Sequence, residues 1–148
     1  MKKALELGCG DLKEANVLTD YDVLAIDKKI NGTPAAHVTA LEADYFDVEI
    51  KDQYNLVYSN YSLCFNKKEV IQSRLPKILS HLLPSGIFIL NDFSNNEKTV
   101  LKRTNLDETW FFDLIRSNVG EFEVKREQIF EEEHGHFHQI FQIQAIKR

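Results

Sequence analysis

The residues with the most chemical promise stand at three spaced points: Glu6-x-Gly8-Cys9-Gly10, Asp27 and Asp44. Gly8 and Gly10 let a backbone turn sharply and come close to a ligand. Asp27 ends the apolar run Val23-Leu24-Ala25-Ile26, and Asp44 closes a third stretch that begins at Val38. An acid at the tip of a second strand can accept hydrogen bonds from both ribose hydroxyls of a nucleoside. An acid at the tip of the third can accept from an adenine amino group, with Tyr45 or Phe46 packing on the ring. Glu6 lies inside an apolar run, where a charge is costly unless hydrogen-bonded. That cost points to a place in a polar network.

These residues need a scaffold that gathers strand ends. Ala4 to Leu7 reads as a strand buried on both faces of a parallel sheet, followed by a glycine turn and a helix of about two turns in Leu12 to Leu18. Such an edge is where open α/β sheets bind ligands. Asn31-Gly32-Thr33-Pro34 is turn chemistry and leaves no place for a full helix between the second and third strands. Tyr54 to Ser59 reads as the fourth strand. Val70, Ile71, Leu75, Ile78, Leu79 and Leu82 recur at helical spacing over Lys68 to Leu83. Pro76 should kink or break that helix, with Ser73 capping a second segment and Pro84-Ser85-Gly86 stopping it. Ile87 to Leu90 is the central fifth strand. Ser94 to Asp107 is a long polar loop, with a short helix possible on spacing near Glu97 to Lys102. Asp107 then caps a helix carrying Trp110, Phe111, Leu114 and Ile115. Phe122 to Phe130 and Phe137 to Ile146 read as an antiparallel hairpin.

The whole fits one domain over residues 1–148. With 43% apolar and 28% charged residues, the composition is that of an ordinary soluble globular protein. A net charge of −5 gives no electrostatic footprint for nucleic acid. Cys9 and Cys64 make no disulfide framework and read as reduced thiols of a cytoplasmic protein. The start, Met1-Lys2-Lys3, has no signal-peptide core, and no apolar run reaches the ~18 residues of a membrane span.

Glu6-x-Gly8-x-Gly10, Asp27, Asp44 and Leu83-Pro84-Ser85-Gly86 resemble, in family order, the class I S-adenosylmethionine-dependent methyltransferases. The small size and histidine-rich ending are similar to the tellurite-resistance type. The resemblance implies a Rossmann-like, doubly wound, mostly parallel α/β sheet of seven strands with a C-terminal antiparallel hairpin. It implies S-adenosylmethionine as cofactor and methyl transfer to a small-molecule acceptor. By the same resemblance Glu6, Gly8, Cys9, Gly10, Asp27, Lys28, Asp44, Tyr45, Ser59 and Asn60 border the cofactor. Tyr61, Asp92 and Trp110 border the acceptor. Three departures stand out. Leu12 replaces the third glycine, the helix between strands two and three is missing, and Asn60-Tyr61-Ser62 lacks the Pro-Pro-aromatic run of enzymes that methylate bases. The domain is abbreviated, without a cap helix before the first strand. Its pocket stays open unless the 94–110 segment or a second copy of the chain covers it.

Other readings weigh less. A nicotinamide-dependent oxidoreductase would want a third glycine near Lys13. A non-catalytic cofactor-binding module fits the abbreviated helices, and a nucleic-acid methyltransferase would need a basic groove. His134, His136 and His138 lack the Cys or carboxylate spacing of a metal site and read as a polar hairpin face. Cys9 has no placed histidine partner to make it a nucleophile, and reads as a small residue tolerated beside the ligand.

Overall fold

Short apolar runs separated by glycine, proline and asparagine turns become the strands of a single sheet. A computed structural model describes residues 1–93, 109–131 and 135–148. The strands are β1 (Lys2–Leu7), β2 (Tyr21–Asp27), β3 (Val38–Glu42), β4 (Tyr54–Asn60), β5 (Leu82–Phe93), β6 (Val124–Glu131) and β7 (His136–Ile146). The helices are α1 (Lys13–Val17), α2 (Lys68–Leu79) and α3 (Thr109–Asn118), with a 3₁₀ turn at Leu63–Phe65. Strand order is β3-β2-β1-β4-β5-β7-β6. The first five strands pair parallel, and β7 runs antiparallel to both β5 and β6. The expected seven-stranded sheet and terminal hairpin are therefore present. Among the described residues no helix is long and apolar enough to cross a membrane.

Alternation along the strands divides the core between two faces. Leu5, Leu7, Ile26, Val57, Phe88 and Leu90 pack with α2, α3 and the β7 residues Phe141 and Ile143. Ala4, Val23, Ala25, Leu56 and Tyr58 face the other way, under Cys9, Leu12 and Ala15. As the turn chemistry predicts, residues 28–37 cross from β2 to β3 without a helix. Helix α1 is shorter than expected, because Leu12 takes a left-handed conformation (φ 66°) and the helix begins only at Lys13.

Three expectations about the α2 region are corrected. Pro76 does not break the helix: Lys68–Leu79 is continuous. Proline removes the donor to Gln72, but Gln72 is exposed, so the missing bond falls on the solvent side of the helix, not in the core. Burial of Ile71, Leu75, Ile78 and Leu79 holds one helical stripe together on both sides of the proline. Ser73 caps nothing; its hydroxyl donates to the Val70 carbonyl at 3.3 Å. Pro84-Ser85-Gly86 is not the helix stop either. The helix ends at Leu79, and the Pro-Ser-Gly run forms a bulge inside β5. Tyr54 pairs with Leu82 while Leu56 pairs with Ile87, so β5 carries extra residues there. Ser85 has φ 65°, and a Cβ on Gly86 would stand 2.7 Å from the Leu83 carbonyl oxygen. The expected loop over 94–107, its short helix and the Asp107 cap lie outside the described residues.

Candidate functional site

Strand order reverses between β1 and β4, whose neighbours run outward to β3 on one side and β5 on the other. The carboxyl ends of strands diverge at such a switch point and leave a crevice. A cleft of about 470 Å³ opens there. Its wall is made by Gly8, Cys9, Gly10, Asp11 and Glu14 after β1, by Asp27 and Lys28 after β2, and by Asp44 and Tyr45 after β3. Asn60, Tyr61, Ser62, Phe65 and Asn66 complete it after β4.

The glycine turn is held from below and from the side. Gly8 (φ 86°) donates to the Ile26 carbonyl at 2.8 Å, and a Cβ on it would collide with the Ser62 side chain. Gly10 (φ 50°) has nothing near its Cβ direction within 4 Å, so its backbone is bare toward the cleft. Gly10 N–H donates to Asp27 Oδ2 at 2.8 Å, which ties the turn to the tip of β2. The Asn31-Gly32 turn closes over it: Asn31 N–H donates to the Gly10 carbonyl at 3.1 Å. A Cβ on Gly32 would strike the Asp11 carbonyl oxygen, so only glycine permits that approach.

On the far wall, Asp44 Oδ1 accepts from Phe46 N–H at 2.9 Å, and its Oδ2 lies 3.7 Å from Lys28 Nζ. The Tyr45 hydroxyl meets Ser62 Oγ at 2.9 Å and accepts from Asn66 Nδ2 at 2.8 Å. Burial raises the Tyr45 phenol above its usual range, so it stays neutral. Its ring packs edge-on to Phe46, which is itself core. Asn60 Oδ1 accepts from Asn91 Nδ2 at 2.7 Å, and the Asn91 carbonyl accepts from Tyr61 N–H at 2.7 Å. Asn91 thus fixes two consecutive residues at the end of β4. Tyr61 is held at φ 56°, a conformation that costs a non-glycine residue of order 1 kcal/mol or more. Its ring meets Phe93 at 5.1 Å, and Phe93 meets the buried His138 at 5.3 Å.

Beneath the turn lies the least expected group. Glu6 is 1% exposed, and its carboxyl lies beside the buried Tyr58 hydroxyl without a well-formed hydrogen bond between them. Burial, aided by the charges of Glu14, Asp11 and Asp27, pushes its pKa up to about 8. Burial likewise pushes the Cys9 thiol up to about 12, which keeps it protonated and unsuited to nucleophilic attack.

Of the residues expected at the site, Gly8, Cys9, Gly10, Asp27, Lys28, Asp44, Tyr45, Asn60 and Tyr61 come together around the cleft. Four do not reach its surface. Glu6 lies under the glycine turn. Ser59 is fully buried and donates its hydroxyl to the Leu7 carbonyl at 2.9 Å, bracing β4 against β1. Asp92 is fully buried, accepting from Cys64 N–H and Phe93 N–H; it organises the turn after β4. Trp110 packs on the α3 side, edge-on to Phe111 with Lys68 Nζ 5.1 Å from its ring centre. Sequence reasoning passed over Asp11, Glu14, Ser62, Phe65 and Asn66 in the wall and Asn91 behind it. The side-chain bond between Tyr45 and Asn66 spans 21 positions, and no periodicity announces it. His138 is buried against Phe93, so the hairpin face it occupies is not a solvated polar one.

No family model matches the chain, and no curated protein does. Solved structures match over nearly all of it. An N-methyltransferase, NodS, from Bradyrhizobium japonicum in complex with S-adenosylhomocysteine aligns with TM-score 0.77 at 12% identity, over 99% of this chain and 78% of that one. TehB from Haemophilus influenzae aligns with TM-score 0.75 at 16% identity, over 99% of this chain and 58% of that one. The Burkholderia thailandensis 1,6-didemethyltoxoflavin-N1-methyltransferase, with 1,6-didemethyltoxoflavin and S-adenosylhomocysteine bound, gives 0.70 at 16%, over 99% and 71%. This chain therefore has the Rossmann-like fold of the methyltransferases, a mostly parallel seven-stranded sheet closed by an antiparallel hairpin.

Proposed function

We propose that the chain binds S-adenosylmethionine in the switch-point cleft and transfers its methyl group to a small-molecule acceptor. One observation carries the reading: the cleft joins a bare glycine turn to four carboxylates, Asp11, Glu14, Asp27 and Asp44, with Lys28 as the one cation in its wall among the described residues. Such a wall suits a cationic nucleoside and opposes a pyrophosphate, which sets the nicotinamide dinucleotides aside. The donor set fits the cofactor. The Gly8–Gly10 backbone would lie along the methionine part, Asp27 Oδ1 would accept from the ribose, and the 44–45 turn would border the adenine. Bound there, S-adenosylmethionine supplies a methyl already made electrophilic by its sulfonium centre. The protein's part is then to align an acceptor, and Tyr61, with its backbone fixed by Asn91, stands on the rim where that alignment would occur. Structural neighbours that hold S-adenosylhomocysteine support the reading, as does the 1,6-didemethyltoxoflavin bound in the Burkholderia enzyme.

Calorimetry with S-adenosylmethionine, S-adenosylhomocysteine and NAD tests it. Micromolar-range binding of the first two, and none of the third, is expected; tighter binding of NAD would overturn the cofactor assignment. A second reading, a cofactor-binding module without turnover, is favoured by the short α1 and helix-free 28–37 crossover beside the cleft. Transfer of labelled methyl to small molecules of a cell extract separates the two.

A further inference from the structure

The carboxyl of Glu6 is placed where a structural role does not explain it. It stands in register between Ala25 of β2 and Tyr58 of β4, on the face covered by Cys9, Leu12 and Ala15. It is almost wholly buried, and the buried Tyr58 hydroxyl beside it makes no well-formed hydrogen bond to either oxygen. A buried ionised carboxylate so poorly partnered is strongly disfavoured. Among the described residues the charged groups that act on it are acids: Glu14 on α1, Asp11 in the turn and Asp27 on β2. Tyr58 from β4 and Cys9 from the turn are its neutral titratable neighbours. Four of these groups, Cys9, Asp11, Glu14 and Asp27, also line the cleft, so Glu6 sits one layer beneath the surface a ligand would cover.

We propose that Glu6 makes ligand binding and proton release one event: it is protonated in the ligand-free fold and gives up its proton when a cationic ligand settles over the glycine turn. This rests on the reading of the cleft as a site for S-adenosylmethionine. The O–H bond of the acid breaks, its electrons stay on the carboxylate, and the proton passes to the solvent buffer. The sign follows from charge. In the empty cleft the charges that act on Glu6 are the acids Glu14, Asp11 and Asp27, and with burial they favour the neutral carboxyl, with a pKa of about 8. A cation within ~4–6 Å lowers a carboxyl pKa by roughly 1–3 units. Affinity for the cation then rises with pH until the ligand-free Glu6 is already ionised. Glu6 would act as a positioning residue whose charge is switched on by the ligand it supports.

The experiment is titration calorimetry of the full chain with S-adenosylmethionine at pH 7, in buffers of widely different ionisation enthalpy. The slope of apparent enthalpy against buffer enthalpy counts protons. Wild type is expected to release roughly 0.4–0.9 proton per ligand bound, from the same 1–3 unit shift. Glu6→Gln keeps the shape and the neutral state and is expected to release close to none beyond the ligand's own contribution, which both proteins share. Equal release by the two proteins overturns the linkage and leaves the cofactor reading standing. No binding to folded wild type overturns both. Carboxyl ¹³C NMR of wild type at pH 7 needs no variant: one glutamate signal is expected to move from its neutral to its ionised position at saturation. Glutamate signals that are all ionised without ligand overturn the proposal.

Discussion

The two faces of the sheet differ in how they are covered, and the difference separates stability from ligand chemistry. One face is packed by the twelve-residue α2 and the ten-residue α3, and its core holds Phe88, Phe111 and Phe141, all fully buried. The other is roofed by the five-residue α1 and the turns around it, over small residues such as Ala4, Val23 and Ala25. The buried Glu6 carboxyl lies on that thin face, and the cleft opens at the carboxyl edge where the two faces meet. Burial of large apolar side chains supplies most of the favourable folding energy. A thick core on one face can therefore offset a costly acid on the other.

Truncation tests this asymmetry most forcefully. Phe111→Ala empties a fully buried site on the thick face and is expected to cost about 3–5 kcal/mol. Leu56→Ala on the thin face leaves a smaller void and is expected to cost about 2 kcal/mol. Chemical denaturation of both variants decides the matter, and equal losses would break the comparison.

Glu6→Gln comes next. The Glu6 pKa is raised from 4.5 to about 8 in the fold, so the native state holds a proton that the unfolded chain releases. The stability this contributes is complete below pH 4.5 and is lost as pH rises through 8. Wild type is expected to lose stability across that window, at up to ~1.4 kcal/mol per pH unit, and the glutamine variant to lack that slope. At pH 9 the variant is expected to be more stable by roughly 3–5 kcal/mol, from the same linkage. Denaturation midpoints at pH 5, 7 and 9 check the sign; parallel curves would show Glu6 ionised throughout.

Asp27→Ala addresses the cleft edge. It removes a charged acceptor, worth about 1.5–3 kcal/mol, so S-adenosylhomocysteine is expected to bind roughly ten- to a hundred-fold more weakly. Unchanged affinity in the folded variant would confine Asp27 to its bond with Gly10 N–H.

Much of this scaffold was legible because apolar runs and turn residues act locally. β1, β2, β4 and β5 follow from Ala4–Leu7, Val23–Ile26, Tyr54–Ser59 and Ile87–Leu90, and the hairpin from its two flanking runs. What escaped reading depended on tertiary context. Pro76 is tolerated because Leu75, Ile78 and Leu79 are buried together, which outweighs one missing donor. Pro84-Ser85-Gly86 looks like a helix stop and is a bulge, since the register of β4 against β5 decides its meaning. At the site, Gly8, Gly10, Asp27 and Asp44 stood out by spacing. The Tyr45–Ser62–Asn66 bonds and the Asn91 clamp join residues from different strand ends, and only the fold brings them together. Glu6 was legible as an anomaly, while the Tyr58 hydroxyl and the acids Asp11, Glu14 and Asp27 around it come together only in the fold.

The smallest effect belongs to Tyr61, where the two faces' logic meets in one residue. Its backbone is left-handed at φ 56°, pinned by the Asn91 carbonyl, while its ring leans on Phe93. Tyr61→Ala removes the ring and keeps the strain; Tyr61→Gly removes both, at the cost of a freer unfolded chain. Relief of the left-handed conformation is worth roughly 1–2 kcal/mol, and the added unfolded-state entropy returns roughly 0.4–1 kcal/mol. The glycine variant is therefore expected to be the more stable of the two by about 0.5–1 kcal/mol. Both are expected to keep S-adenosylhomocysteine affinity within a few-fold, because the glycine turn and Asp27 are untouched. Denaturation and calorimetry on the same pair separate the causes. An alanine variant at least as stable as the glycine one would mean that the turn relaxes and stores no strain. A large loss of affinity in both would move Tyr61 from the acceptor rim to the cofactor, and Trp110→Ala, on the packed face, is the control expected to leave affinity unchanged.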